Sequence, residues 1–375
     1  MIGLYIHIPF CVSKCKYCDF NSFEINNTNK AQYIKNLIKE IEMYSNENKE
    51  EIESIFLGGG TPSILTSEEI IEIFRAIYDK FKISKDAEIT MECNPGTLDR
   101  YKLESMKKIG VNRLSIGLQA IQEKHLKYIG RIHDYETFEK NYLEARNVGF
   151  DNINIDLMYN LPNQTLLEWK ESLEKIVKLN PEHISAYSLI LEEGTQLNDM
   201  YDRKEFELME ENEDIELYNY TINYLNDNGY KQYEISNYSK EGYECKHNII
   251  YWNCDHYIGV GAGASGYIRD IRYNNENELN KYNEKIESNE KPIYTYEELT
   301  IKDKLQEKIF MGLRMNKGIN LSDINKKFSI DFYEIYQEQL KKLQERQLII
   351  IENDILKLTQ RGREISNSVF IEFLD

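Results

Sequence analysis

The chain has 375 residues, of which 41% are hydrophobic, so it can bury one large core and a smaller one, and two or three domains are expected. Its 64 acidic residues outnumber 46 basic ones, and the resulting net charge of -18 repels phosphate backbones, which argues against nucleic acid as a partner. Because residues 1–10 form no basic leader and no run of eighteen apolar residues occurs, we expect a cytoplasmic protein without a membrane segment of its own.

Six stretches with period-2 or β-rich patterns predict strands, and helical patterns separate them. The predicted strands are Leu4–Ile8, Ser54–Leu57, Glu88–Met91, Arg113–Ile116, Asn152–Leu157 and His183–Leu189. One predicted helix carries an apolar stripe from Tyr33 to Tyr44, and the next begins at a capping box of Thr66 and Glu69. Gly149 stands where a helix is expected to end.

Six consecutive βα units with right-handed crossovers predict an α/β fold, a partial (β/α)6 barrel, since eight units are needed for full closure. Unusual residues follow these strands at the end where barrel enzymes place their active sites. They are Cys11, Cys15 and Cys18 after the first strand, Gly58–Pro62 after the second, Glu92–Gly96 after the third, Gln119 after the fourth, Asp156 in the fifth and Glu192–Gly194 after the sixth. This coincidence predicts one site at the barrel mouth, in a domain of residues 1–195.

The rest of the chain predicts a mixed middle region over residues 196–295 and a small helical domain over residues 296–375. In the latter, Leu348–Ile351 and Ile355–Leu358 predict a hairpin that turns at Asn353–Asp354. Helices followed by a hairpin resemble a winged helix. With this net charge we expect a packing or docking role for it rather than DNA binding.

Cys11, Cys15 and Cys18 place three thiols in one loop of a chain whose six cysteines are too few for a disulfide scaffold. Three soft ligands suit an iron-sulfur cluster and leave a fourth iron without a protein thiolate, open to a cofactor. The alternative is structural zinc, which requires four ligands in paired spacing. Phe20 stands where a close fourth cysteine would lie.

The segment from Tyr5 to Phe20 reads YIHIPFCVSKCKYCDF and resembles the radical S-adenosylmethionine (SAM) signature of the oxygen-independent coproporphyrinogen III oxidase family. The resemblance continues through Gly58–Pro62, Arg113–Gln119, Gly130–His133 and Asp156–Thr165, and therefore covers the predicted barrel. It implies that the three cysteines hold a [4Fe-4S] cluster whose open iron binds SAM. An electron donor then reduces the cluster, and cleavage of the sulfonium gives a 5′-deoxyadenosyl radical.

The same resemblance implies a set of SAM contacts around the barrel mouth. Glycines allow close backbone approach, Glu92 and Asp156 accept hydrogen bonds from amine or hydroxyl groups, and Arg131 pairs with the carboxylate. The implied residues are Tyr5, Phe10, Gly58, Gly59, Gly60, Thr61, Glu92, Gln119, Arg131 and Asp156. Taken singly, each has a structural alternative, such as a loop cap for Glu92 or a surface ion pair for Arg131.

Two departures indicate which branch of the family the chain resembles. The decarboxylating oxidases carry a further cysteine where this chain has Phe20, and an N-terminal extension ahead of the residue that matches Tyr5. Oxygen-independent coproporphyrinogen III oxidation therefore becomes the alternative function. A radical SAM enzyme that modifies RNA would be expected to carry a basic surface or an added RNA-binding module, neither of which is evident.

The segment His247-Asn248-x2-Tyr251-Trp252 is similar to the HNxxYW motif of the haem chaperones, the other branch. The resemblance implies haem as cargo, with His247 as an axial iron ligand and Tyr251 and Trp252 packed on the macrocycle. The expected partners are acceptor haemoproteins, including a membrane-associated acceptor. The structural alternative for His247 is a hydrogen-bonded core histidine.

Cys245-x-His247 and Cys254-x-His256 form a competing pattern, because their paired spacing mimics a four-ligand zinc site. Cys254 and His256 stand where other residues are expected in the family. The sequence therefore favours a haem chaperone dependent on a radical SAM cluster, with zinc binding as the weaker hypothesis for the middle region.

Overall fold

The structure is a computed structural model that describes residues 2–25, 27–45 and 50–374. In the first 202 residues the strands are β1 (Ile2–Ile8), β2 (Phe10–Cys11), β3 (Phe23–Glu24), β4 (Ile52–Gly59), β5 (Ile83–Cys93), β6 (Arg113–Gln119), β7 (Ile153–Tyr159) and β8 (His183–Ser188). The helices are α1 (Asn27–Ser45), α2 (Ser67–Lys80), α3 (Arg100–Lys108), α4 (Glu123–Tyr128), α5 (Tyr135–Val148), α6 (Leu166–Leu179) and α7 (Gln196–Asp202).

Strands β1, β4, β5, β6, β7 and β8 pair in that order and all run parallel, which confirms the predicted partial barrel. The capping box of Thr66 and Glu69 starts α2, and Gly149 ends α5 with φ 97°, as predicted. Alternate side chains of the strands face opposite ways. Leu4 and Ile6 pack in the core with the helices, whereas Tyr5 faces the inner side together with Glu92.

The middle of the chain adds strands to both edges of the barrel sheet. Its elements are α8 (Glu211–Asp227), β9 (Lys231–Glu234), β10 (Asn237–Ser239), α9 (Lys246–Trp252), β11 (His256–Val260), β12 (Ser265–Ile268), β13 (Ile271–Asn275), α10 (Leu279–Glu287) and β14 (Ile293–Glu298). Strand β10 pairs antiparallel with β8, while β11 pairs parallel with β1 and carries β12 to β14 beyond it. The six barrel strands and these six additions thus form one sheet of twelve strands.

Helix α9 lies against the inner side of β1 and β4, although the sequence analysis placed its motif outside the barrel. Small residues make the space: a Cβ atom on Gly3 would come within 3.1 Å of the His247 ring, and Ser54 bonds to that ring. The sequence pattern of α9 gives no information about this contact, because its partners lie some two hundred residues earlier.

The C-terminal part has its own hydrophobic core. Its elements are α11 (Ile301–Arg314), β15 (Ile319–Asn320), α12 (Leu321–Phe328), α13 (Phe332–Ile335), α14 (Gln337–Glu345), β16 (Ile349–Glu352), β17 (Ile355–Leu358), α15 (Gln360–Glu364) and α16 (Ser366–Ile371). The predicted hairpin is present, and both turn residues, Asn353 and Asp354, have positive φ. Across the described ranges, every helix is too short or too polar to cross a lipid bilayer.

Candidate functional site

A cavity of about 400 Å³, here called the cluster cavity, opens at the carboxyl ends of the barrel strands. Ten of the residues predicted from the sequence line it, namely Cys11, Cys15, Cys18, Gly59, Gly60, Thr61, Glu92, Gln119, Arg131 and Asp156. They come together because parallel strands deliver their carboxyl ends to one rim. Tyr17, Ser115 and Tyr187 also line this cavity and were not among the predicted SAM contacts, and Asn94 of the predicted segment Glu92–Gly96 lines it too.

Cys11 is the last residue of β2, Cys15 and Cys18 lie in the loop between β2 and β3, and all three line the cluster cavity. Thr61 Oγ1 donates to Cys11 Sγ at 3.5 Å, and Arg131 Nη1 lies 3.5 Å from Cys15 Sγ. Burial raises the pKa of Cys11, and it raises that of Cys18 to about 11. Without a metal these two thiols stay protonated at neutral pH, so metal binding would release protons. The three cysteines would supply the thiolate ligands of an iron-sulfur cluster, and the Arg131 guanidinium beside them would balance its negative charge.

Two half-buried carboxyl groups, those of Glu92 and Asp156, line the cluster cavity. Asp156 accepts from Asn154 Nδ2 at 2.7 Å and from Ser115 Oγ at 3.1 Å, while Glu92 accepts from the Gly59 N–H at 3.1 Å. Burial raises the pKa of Asp156, and burial with the charge of Asp156 raises that of Glu92 to about 8. A cationic ligand would relieve both effects, so the cavity suits the ammonium and sulfonium groups of SAM.

Arg131 places a guanidinium in this cavity, which Lys14 also lines. Its Nη2 donates to Asn94 Oδ1 at 2.9 Å and to the Gly117 carbonyl, while Nε is buried without a partner among the described groups. Gln119, whose side chain lies near Gly117 as that of Arg131 does, holds a φ of 73° at the end of β6 and accepts from Tyr187 Oη at 2.9 Å. Such left-handed backbone in a residue other than glycine costs energy and is typical of binding sites.

Phe10 does not reach the cluster cavity, contrary to its predicted role. Its side chain is buried and packs edge-on against Tyr33, with ring centroids 5.3 Å apart. It contributes its backbone instead, since its carbonyl accepts from the Thr61 N–H at 2.8 Å. Tyr5 and Gly58 lie behind Glu92 on the same inner side of the sheet.

A second cavity of about 450 Å³, here called the aromatic cavity, adjoins the first and shares Phe20, Gly59 and Glu92 with it. Its further lining residues are Tyr5, His7, Asn21, Tyr251, Trp252, Cys254, Tyr257, Gly263, Ser265, Tyr267, Arg272, Glu307 and Met311. The rings of Tyr251 and Tyr257 meet edge to face at 4.6 Å. A large aromatic wall of this kind suits a flat apolar ligand.

His247 lies beneath this wall and does not line the aromatic cavity. Its Nδ1 lies 2.8 Å from Ser54 Oγ and its Nε2 lies 2.8 Å from Tyr251 Oη, with 1% of the residue exposed. Burial and the charge of Arg113 lower its pKa to about 3. Both ring nitrogens are therefore engaged in hydrogen bonds, and the imidazole orients Tyr251. Ligation of iron by His247 stays a prediction.

The alternative zinc site is also not assembled. Cys245 is buried and bonds to Glu88, whereas Cys254 lines the aromatic cavity, which His256 does not. Within residues 2–25, 27–45 and 50–374, no three side chains of the His, Cys, Asp or Glu type converge as ligands of a single metal ion. The cluster thiols do not contradict this, because each cysteine of an iron-sulfur cluster binds a separate iron.

Comparison with known proteins gives matches along the whole chain. The Radical SAM superfamily matches residues 5–176, and the HemN C-terminal domain matches residues 299–365. The heme chaperone HemW of Lactococcus lactis is 36% identical, covering 99% of this chain and 96% of that protein. The heme chaperone HemW of Bacillus subtilis is 35% identical, covering 100% and 99%.

Among solved structures, coproporphyrinogen III oxidase (HemN) from Escherichia coli, a radical SAM enzyme, matches with a TM-score of 0.87. The match covers 99% of this chain and 89% of that chain at 24% identity. At this level of identity the match establishes a shared fold and leaves the activity to be argued from the site.

Proposed function

This chain belongs to the HemW family of radical SAM proteins, and from that premise we propose that it is a haem chaperone, which binds haem and transfers it to acceptor haemoproteins. The observation that carries the proposal is the aromatic cavity beside the cluster cavity. Both motifs that the sequence singled out meet there, because Phe20 of the cysteine loop and Trp252 of α9 line the same space.

We assign the cluster to Cys11, Cys15 and Cys18, as the radical SAM family implies. A [4Fe-4S] cluster bound there would supply electron transfer and, at its fourth iron, a coordination position for SAM. The chain's own groups then orient SAM: Glu92 and Asp156 attract its positive charge, and the Arg131 guanidinium attracts its carboxylate. An electron donor to the cluster is the further partner that this assignment needs.

We place haem in the aromatic cavity, where Tyr251 and Trp252 would pack on the macrocycle. The Arg314 guanidinium lies 4.5 Å above the Trp252 ring and holds the indole in place. Arg272 is paired with Glu307 at 2.8 Å, so attraction of the propionates by this cation is largely cancelled. Affinity should therefore come from apolar burial and iron ligation.

Two side chains place sulfur on the cavity wall, Cys254 and Met311, and sulfur ligands from either type occur in haem proteins. His7 also lines the cavity, but its Nδ1 and Nε2 bond to Tyr5 Oη at 2.9 Å and to the Asn21 carbonyl at 2.8 Å. Tyrosine oxygen is a further haem ligand, and the same wall carries Tyr257 and Tyr267. We propose the two sulfur groups as the iron ligands to test first.

The test is an anaerobic haem titration of cluster-reconstituted protein, followed by mixing with an apo-haemoprotein whose spectrum reports transfer. Removing the indole in Trp252→Ala should weaken haem binding about ten- to a hundredfold, as expected for loss of a buried large side chain. Tyr296→Ala, an exposed ring outside both cavities, is the matched control.

Ligation is read from the haem absorption bands, which should change in Cys254→Ser or Met311→Leu and stay as in the wild type in His247→Gln. If the haem absorption bands change only in His247→Gln, then His247 is the iron ligand. Absence of haem binding by the wild type would reject the chaperone proposal. Formation of protoporphyrinogen from coproporphyrinogen III and SAM would instead identify the oxidase alternative.

A further inference from the structure

The cluster cavity and the aromatic cavity meet at Phe20. Of the three residues they share, Gly59 and Glu92 belong to barrel strands, whereas Phe20 comes from the cysteine loop, two residues after Cys18. Its side chain is 58% exposed although it stands between two cavities. Its place on the boundary puts this ring where a ligand in either cavity would contact it.

The backbone around Phe20 is held from both cavities. On the side of the cysteine loop, Lys14 Nζ donates to the Phe20 carbonyl at 3.1 Å. On the other side, Asn21 Nδ2 donates to the Ala262 carbonyl at 3.0 Å, in the turn between β11 and β12. The Asn21 carbonyl in turn accepts from His7 Nε2 at 2.8 Å. Because these hydrogen bonds anchor the backbone, the Phe20 ring keeps its position between the two cavities and can separate them.

The turn that receives Asn21 fits it closely. A Cβ atom on Gly263 would come 2.5 Å from Asn21 Nδ2, and the φ of Gly263 is 79°. Glycine is therefore required at this position, both for the backbone and for the approach of Asn21. The same Gly263 lines the aromatic cavity. One contact thus links the cysteine loop to the wall of the aromatic cavity.

We propose that Phe20 is the partition between bound SAM and bound haem, which lets both ligands occupy their cavities at once. This inference rests on the proposed function. The haem propionates would otherwise be drawn to the Arg131 guanidinium, the group assigned to the SAM carboxylate. A phenyl ring in the path opposes this, because a carboxylate loses its hydration beside an apolar surface. Phe20, beside the Glu92 carboxyl group that also lines both cavities, thus keeps the propionates away from Arg131.

The experiment measures the dissociation constant of radiolabelled SAM by anaerobic equilibrium dialysis, with and without saturating haem, on the cluster-reconstituted full chain. In the wild type the constant should change less than twofold on addition of haem. In Phe20→Ala, haem should raise it at least tenfold. Val12→Ala is the matched control, since Val12 is an exposed apolar residue of the same loop that lines neither cavity.

A second pair of ligands and a second variant test the same partition. Metal-free protoporphyrin, which carries the same propionates, should compete in Phe20→Ala as haem does, whereas its dimethyl ester should not. If Phe20→Ala fails to take up a full complement of iron and sulfide, Phe20→Val is measured in its place. Equal SAM constants with and without haem in the variant that takes up the cluster would overturn the partition, and so would competition in the wild type. Absence of haem binding by the wild type would instead overturn the proposed function.

Discussion

At the scale of single residues, the barrel mouth is organised by charge. Glu92 and Asp156 lie half-buried on the same side of the sheet, and desolvation raises the pKa of each. Arg131 lines the same cavity, and its Nε has no hydrogen-bond partner among the described residues. Ionisable groups with perturbed pKa values are typical of binding sites. A ligand of opposite charge stabilises the ionised form that burial destabilises. The arrangement matches a ligand with separate positive and negative groups, as SAM has.

Asp156→Ala tests the assignment of this carboxyl group to SAM. Replacing it with Ala removes one charged hydrogen-bond acceptor, worth about 1.5 to 3 kcal/mol, so SAM binding should weaken roughly ten- to a hundredfold. Equilibrium dialysis of the reconstituted variant measures this. Asp151→Ala, an exposed position shortly before β7, serves as the control. If both variants bind SAM with the wild-type dissociation constant, Asp156 has no place in the SAM site.

At the scale of elements, β11 and α1 attach the middle of the chain to the barrel. Strand β11 pairs with β1, and the turn that follows it is fixed by the buried carboxylate of Glu40 on α1. Glu40 accepts from Tyr282 Oη at 2.6 Å, from the Gly261 N–H at 2.7 Å and from Asn275 Nδ2 at 2.7 Å. These donors come from three separate parts of the middle region, so one side chain fixes them together.

Glu40→Ala should therefore destabilise the attachment, because three buried donors lose their acceptor at about 1 to 3 kcal/mol each before relaxation. We expect a lower thermal midpoint and weaker haem binding, measured by circular dichroism and haem titration. Glu42→Ala is the control, because Glu42 is an exposed residue of the same helix whose carboxylate pairs with Lys80. Equal midpoints for the two variants would contradict this role for Glu40.

At the scale of the whole molecule, the C-terminal part completes the aromatic cavity. Helix α11 contributes Glu307 and Met311 to its wall, and Lys308 Nζ donates to the Asn253 carbonyl at the end of α9 at 2.8 Å. Arg314, at the end of the same helix, covers Trp252 and pairs with the buried Glu234 at 3.3 Å. The cavity is thus built from three distant parts of the chain.

Arg314→Ala should weaken haem binding and lower the thermal midpoint while leaving cluster iron and sulfide unchanged, because the cysteines lie in another part of the molecule. Loss of the charged hydrogen bond to Glu234 costs about 1.5 to 3 kcal/mol. Arg346→Ala, at the residue that follows α14, is the control. An Arg314→Ala protein with wild-type haem affinity would show that docking of α11 does not shape the haem site.

The sequence alone determined the partial barrel and most of the residues at its mouth. Strand periodicity and turn residues are local properties of the backbone, so Glu92 and Asp156 could be placed at strand ends and on one rim without a structure. The cysteine spacing likewise lies within a single loop, which is why Cys11, Cys15 and Cys18 could be grouped before any geometry was known.

Only the tertiary structure decided how distant segments meet. The pairing of β11 with β1 joins segments about 250 residues apart, and nothing in either pattern specifies that partner. His247 faces Ser54 instead of an open cavity, and Phe10 packs in the core, because each orientation depends on which neighbours are small. The aromatic cavity itself arises from this long-range packing: the sequence specifies its residues, and the fold gathers them.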